Sequence, residues 1–359
     1  VGYLHRRIRR KLETSFLSAG IRTAGSEKPQ RTMPPEMPAK WSLPACSTSI
    51  GKSCAAGWYS ASGRHTRPAP WPARPGSAIA TGTSCASCVA YLQIDQPAII
   101  GTTEWNTASN AELKVFHTEI ESRLLDCRIR WHRAVKNGDS SFFGIGIPMF
   151  QGEGDYTEEE LKQTALASFG WWHHSIENRL DKIDWGAMQK HIEVYAAYLW
   201  RLCTEPVLPF RFTPVADELI ARLEELQEPG RSIGLDTVLG LARHFRERAQ
   251  ELDAAATKEA ERFRAGTGSE DAALLLNAAM KRLSRILVPL QSTAIGTYGH
   301  DPYGYTPQTT VIPCLYEVPR LAGMPDGPER WMLETALVRA RNRVADALSD
   351  AADVITVAL

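Results

Sequence analysis

Acidic residues are nearly absent from the first quarter of this chain, and that absence limits what the rest can build. Residues 1–88 hold 13 Lys and Arg against three acids, Glu13, Glu27 and Glu36, and the first aspartate is Asp95. The same stretch carries 9 of the 22 prolines and 4 of the 7 cysteines. It has little periodic hydrophobicity to bury, so residues 1–88 are expected to be a disordered or aberrant segment. The remaining 28 basic residues face 38 acidic ones, which hides the imbalance behind a net charge of zero. Cys46, Cys54, Cys85 and Cys88 do not follow a zinc-finger spacing. The basic run from Arg6 to Lys11 comes with no recognition motif, so no nucleic-acid partner is expected. No apolar run reaches the roughly 18 residues of a membrane span, and Ser15–Ile21 is too short and mixed for a signal-peptide core. A soluble chain is expected, with the compartment left open.

Ordinary structural signals begin at Val89. Val89–Asp95 reads as a buried strand that Gln96-Pro97 stops. Ala111–Leu125 has apolar residues at Leu113, Val115, Phe116, Ile120 and Leu124, close to helical period. Cys127–Trp131 is a second strand candidate, Lys136–Ser141 is turn chemistry, and the apolar run Phe142–Pro148 reads as a third strand. Thr157 and Glu160 have capping-box spacing. Asp184 is placed to cap a long helix whose inner face reads Met188, Ile192, Tyr195, Leu199 and Leu202. From Asp217 the chain is mostly helical, with a short helix through Leu219–Leu226 and longer ones over about 234–265, 270–288 and 328–357. The last shows a stripe of Leu333, Leu337, Ala340, Val344, Leu348, Ala351 and Ile355. This order predicts an α/β domain over 89–216 followed by a helical bundle over 217–359.

Two features carry chemistry. Asp95 ends a buried strand, where α/β sheets place ligands. Trp171-Trp172-His173-His174-Ser175 puts imidazoles in a loop just before a rigid helix, a useful place for a metal ligand. A bland reading stands beside each: a strand-end carboxylate capping a turn, and a loop histidine bonded to a carbonyl. Asp139 sits in a turn, where such residues usually bond their own backbone. Tyr298, Tyr303 and Tyr305 form an aromatic run that packing alone would also explain. His117, His132, His191, His244 and His300 are expected to be surface or helix residues.

Three segments together resemble the co-catalytic zinc exopeptidases of the transferrin receptor and glutamate carboxypeptidase type: Val89–Asp95, Gly138–Pro148 and Gly170–Asp184. The likeness runs from about Val89 to the C-terminus. It implies an incomplete zinc-exopeptidase α/β domain followed by a transferrin-receptor-like dimerisation bundle, and a homodimer. It also implies a hydrolase that removes a terminal residue from a peptide substrate, using two zinc ions about 3.5 Å apart. Members of the family are often secreted or membrane-anchored. By resemblance, Asp95 and His174 are metal ligands, and His173, Asp139, Tyr303 and Tyr305 lie near the substrate. The family's first histidine, its bridging aspartate and its Glu-Glu pair precede the Asp95 strand. Here that stretch has no aspartate and no Glu-Glu pair. The general-base glutamate is therefore missing and zinc occupancy is not expected to be complete. The expectation for this chain is a catalytically incomplete exopeptidase, and the alternative is a non-catalytic, receptor-like homodimerising protein.

Overall fold

A computed structural model of the chain describes residues 88–134, 142–297 and 309–359. The expectations placed on residues 1–87, on Asp139 and on Tyr298, Tyr303 and Tyr305 lie outside the described residues.

The fold is mixed α/β. The first predicted strand pairs only over Tyr91–Gln93 (β1), and Gln96-Pro97 ends it as expected. Glu104–Ser109 (β2) is a strand that hydropathy does not announce. A 3-10 turn at Ala111–Leu113 leads into helix Lys114–Leu124 (α1), and Ile129–Arg133 (β3) follows. The run Phe142–Pro148 is not a strand. Phe143–Ile145 forms a 3-10 turn, and the strand is Met149–Asp155 (β4). The cause is Gly146, whose left-handed φ of 75° closes the turn. The sheet order is β1-β4-β2-β3; β1 runs parallel to β4, β4 antiparallel to β2, and β2 parallel to β3.

Strand alternation gives this sheet two unlike faces. Leu92, Phe150, Gly152, Gly154, Trp105, Thr107 and Ser109 point one way. That face is covered by α1 and by helix Trp185–Thr204 (α3), which follows the short helix Glu158–Gln163 (α2). Glycine is required on β4 here, because a Cβ at Gly152 would stand 2.5 Å from the Trp105 ring. The other face carries Gln93, Gln151, Glu153, Asn106 and Arg130. A sheet covered by apolar layers on both sides would not read this way.

Both predicted caps form. Thr157 and Glu160 make a reciprocal capping box at α2. Asp184 accepts from Gly186 N–H at 2.9 Å and Ala187 N–H at 3.0 Å at the start of α3. The buried face of α3 is His191, Val194, Tyr195 and Tyr198. It is rotated from the expected one because polar His191 and the two tyrosines all find partners inside. His117 and His191 are helix residues, as expected, and both are buried.

Helices Thr213–Gln227 (α4), Leu235–Arg264 (α5), Glu270–Ser292 (α6) and Pro328–Ala358 (α7) form the bundle. One continuous core runs from Trp105 and Phe116, through Phe212 and Leu219, to Val344 and Ile355. The stripe expected on the last helix is spent inside the chain: Leu337, Ala340, Val344, Leu348, Ala351 and Ile355 are buried, with α7 packed on α5 and α6. No helix among the described residues is long and apolar enough to cross a membrane.

A buried ionic group ties the bundle to the sheet. Glu112 accepts from Ser284 Oγ of α6 at 3.2 Å. Arg133 of β3 pairs with Glu218 of α4 at 3.5 Å and donates to the Gln291 carbonyl at 3.0 Å. Burial pushes the Glu112 carboxyl from an ordinary 4.5 up to about 7, against the pull of its backbone and Ser284 hydrogen bonds. An acid whose folded pKa is raised adds stability below its unfolded value, and that stability is lost as pH rises through about 7. The shift corresponds to roughly 3 kcal/mol. Glu112→Gln is expected to remove this loss, so that the variant gains on the parent between about pH 5 and 8 in urea unfolding. Parallel profiles for the two proteins would rule the assignment out.

Candidate functional site

The site is a corner where β1 ends and the double-histidine turn folds back. Gln96 and Ala98 take left-handed φ values of 42° and 59° just past the strand, and His174 takes 61°. Six non-glycine residues among those described have positive φ, and five fall at 96–98 and 165–174. Such backbone costs about 1–3 kcal/mol per residue and persists only where the surroundings enforce it.

The enforcement is visible. Ile99 and Ile183 form a β-bridge. Ile100 N–H donates to the Lys182 carbonyl at 3.0 Å, and Asp184 N–H donates to the Ala98 carbonyl at 2.9 Å. Ala98 N–H donates to His191 Nδ1 at 3.0 Å. Burial pushes His191 down to about 4, so the ring is neutral and accepts at Nδ1. His191 also stacks edge-on against Trp105, centroids 4.6 Å apart. Sequence reading missed this positioning role. Its signal was a histidine two turns beyond the Asp184 cap, on the face shared with Val194, Tyr195 and Tyr198.

Trp172 anchors the histidine turn. It packs with Ile99 and Tyr156, and its ring lies over Gly170, where a Cβ would stand 2.3 Å from it. Ser175 Oγ donates to the Trp172 carbonyl at 2.7 Å. His173 and His174 stack at 3.7 Å. His173 Nδ1 lies 2.9 Å from Gln96 Nε2. Burial, with His174 beside it, holds His173 below the usual imidazole range, and the charge of Asp95 pulls the other way. Asp95 and the histidine pair, some eighty positions apart, therefore share one corner. Trp171 and Ile176 stay exposed at its rim.

Glu153 on β4, which no reading of the sequence singled out, is buried on the sheet face that also carries Gln93, Gln151 and Asn106. Its residue is 6% exposed. Burial pushes its carboxyl to about 8; hydrogen bonds from Gln151 and Asn106 lower it, and the charges of Asp95 and Asp155 raise it. Asp155 itself is bonded to Arg130.

A metal centre needs more donors than this. Zinc sites take three or four protein ligands. Among the described residues, no group of three His, Cys, Asp or Glu side chains is placed to hold a metal ion. Among the described residues, Asp95 and His174 have no third donor beside them.

A second polar cluster has the bonding order of a hydrolytic triad. His117 Nε2 lies 2.8 Å from Ser109 Oγ, and His117 Nδ1 lies 3.4 Å from Glu121 Oε2. All three side chains are sealed from solvent, and Ser109 Oγ also accepts from Trp131 Nε1 at 3.0 Å. A nucleophile without access to substrate does no chemistry. This cluster holds β2 to α1.

No protein-family model and no curated protein matches this chain.

Proposed function

We propose that the chain carries the peptide-binding corner of a zinc exopeptidase of the transferrin receptor and glutamate carboxypeptidase type, and does not by itself hydrolyse peptide bonds. One observation carries the reading: Gln96, the residue after Asp95, meets His173 of the double-histidine turn at 2.9 Å, although 77 positions separate them. A strand-end carboxylate and an imidazole pair in a strained, pinned corner are a binding arrangement. Asp95 and His174 are the ligands this lineage would retain, and His173 the neighbour of the substrate. The donors that would fill a two-metal centre are not in that corner among the described residues.

Elemental analysis of the purified chain is expected to find well under the two zinc ions of a full centre. Chromogenic aminoacyl and acyl-glutamate substrates are expected to show no chelator-sensitive turnover. Two tightly held zinc ions together with such turnover would overturn the non-catalytic part of the reading.

The receptor-like alternative, self-association without catalysis, is favoured by the outer surface of α7. Trp331, Met332 and Val357 remain exposed there while the inner stripe is buried. In this reading the homodimer uses that outer surface. Light scattering of Met332→Glu against the parent tests this, with a shift toward monomer expected and an unchanged mass counting against it.

A further inference from the structure

The strap that follows β1, residues 96–101, lies against α3 under strain, and a side chain of α3 holds it there. Ala98 is fully buried and takes a left-handed φ of 59°, which an alanine keeps only where its surroundings enforce it. Its N–H donates to Nδ1 of His191, well inside α3, at 3.0 Å. Other ties of the strap run to the turn before the helix. The Ala98 carbonyl accepts from Asp184 N–H at 2.9 Å, Ile100 N–H donates to the Lys182 carbonyl at 3.0 Å, and Ile99 bridges Ile183.

An imidazole nitrogen accepts a hydrogen bond only while it carries no proton. A proton on Nδ1 would set two N–H groups against each other in a space where an unpartnered donor is costly. The surroundings of His191 are poor in charge that could hold the protonated ring. Trp105 of β2 meets it edge-on, and a Cβ on Gly154 of β4 would stand 3.3 Å from its Cε1. Tyr195, one turn further along α3, keeps its hydroxyl proton because it is buried. Glu153 and Asp155 alternate onto the opposite face of β4. Asp184 favours the protonated ring, but its carboxylate is engaged as the cap of α3. Lys190 and Lys182 are paired with Glu193 and Asp181.

We infer that His191 is an acid-released latch: its neutral ring holds residues 96–101 against α3, and protonation at Nδ1 frees the strap together with the Gln96–His173 contact it carries. The latch stands on the geometry of the strap; that its release would also let go of a bound peptide rests on the reading above. Burial sets the direction. His191 is pushed down from an ordinary 6.5 to about 4 while the strap is closed, and it regains the ordinary value once unburied. Closure is therefore favoured above about pH 6.5, and that preference is lost as pH falls toward 4. Opening is expected to be about thirtyfold more frequent at about pH 5 than at about pH 7.5.

Hydrogen exchange of the full chain at those two pH values, each rate divided by the intrinsic rate at that pH, reads the opening. In the parent, protection at residues 98–100 and 183–184 is expected to fall about thirtyfold at the lower pH, while α5 and α7 keep theirs. His191→Asn offers an amide oxygen near the place of Nδ1 and does not titrate, so its protection is expected to stay level between the two pH values. His191→Phe offers no acceptor and is expected to leave the strap poorly protected at both. Either variant decides the matter if the other fails to fold. A parent with level protection overturns the latch, as does a His191→Asn profile as steep as the parent's. An equal fall in α5 and α7 overturns it too, because the change would then be acid unfolding of the whole chain. Neither zinc content nor turnover enters this readout, so the peptide-binding reading can fail while the latch stands.

Discussion

Glu121→Ala is expected to lower the unfolding free energy by about 5 kcal/mol. Glu121 is fully buried on α1. It accepts from Thr107 Oγ1 of β2 at 2.6 Å and from the Tyr198 hydroxyl of α3, and it faces His117 Nδ1 at 3.4 Å. Alanine removes the carboxylate that all three groups face and leaves them in a dry interior. Each orphaned group costs about 1–3 kcal/mol, and a cavity term is added. Burial and Glu121 together push the Tyr198 hydroxyl well above its ordinary range, so it stays a neutral donor. The signature is non-additivity. In the Glu121→Ala background, Tyr198→Phe should restore part of the loss, because it deletes a donor that no longer has an acceptor. Urea unfolding of the two single variants and the double variant measures this. A loss under about 1.5 kcal/mol, or strict additivity, would show that the network contributes little.

Gly146→Ala is expected to cost about 4 kcal/mol, from backbone strain and overpacking together. Gly146 holds a φ of 75°, and a Cβ there would stand 2.4 Å from Arg285 Cα and 2.9 Å from the Ser284 carbonyl oxygen. Those are backbone atoms of α6, which cannot swing aside as a side chain would. The turn ends where β4 begins, and Arg285 Nη2 reaches across to the Cys88 carbonyl at 2.9 Å just before β1. Displacing the turn should therefore shift β1 against β4 as well as destabilise the protein. Gly240, inside α5, is the control: it has no neighbour within 4 Å of a built Cβ and no positive φ. Gly240→Ala should leave stability unchanged or raise it by up to about 1 kcal/mol. Thermal unfolding of both variants separates the cases, and equal effects would refute the argument.

Much of this architecture is legible along the chain, and the reason is locality. The Asp184 cap, the Thr157–Glu160 box and the long helices depend on residues three or four positions apart, and their boundaries fall within a few residues of expectation. Asp95 and the double histidine were visible as a carboxylate after an apolar run and imidazoles before a cap. The strands were harder. Phe142–Pro148 has the hydrophobicity of a strand, but Gly146 bends it into a turn. β4 looks unlike a strand because its glycines make room for Trp105 and His191, and β2 was missed because half of its residues face a polar side.

What the linear order of residues could specify was periodicity, capping and the chemical character of single positions, since each of these is written in neighbouring side chains. The partners were a different matter. Strand register brought Gln93 beside Gln151, and bridge and cap bonds carried His173 to Gln96. Packing against α5 and α6 decided that the stripe of α7 faces inward. Contacts between residues far apart in the chain leave no local trace, because their free energy appears only once the sheet and the bundle have closed around them.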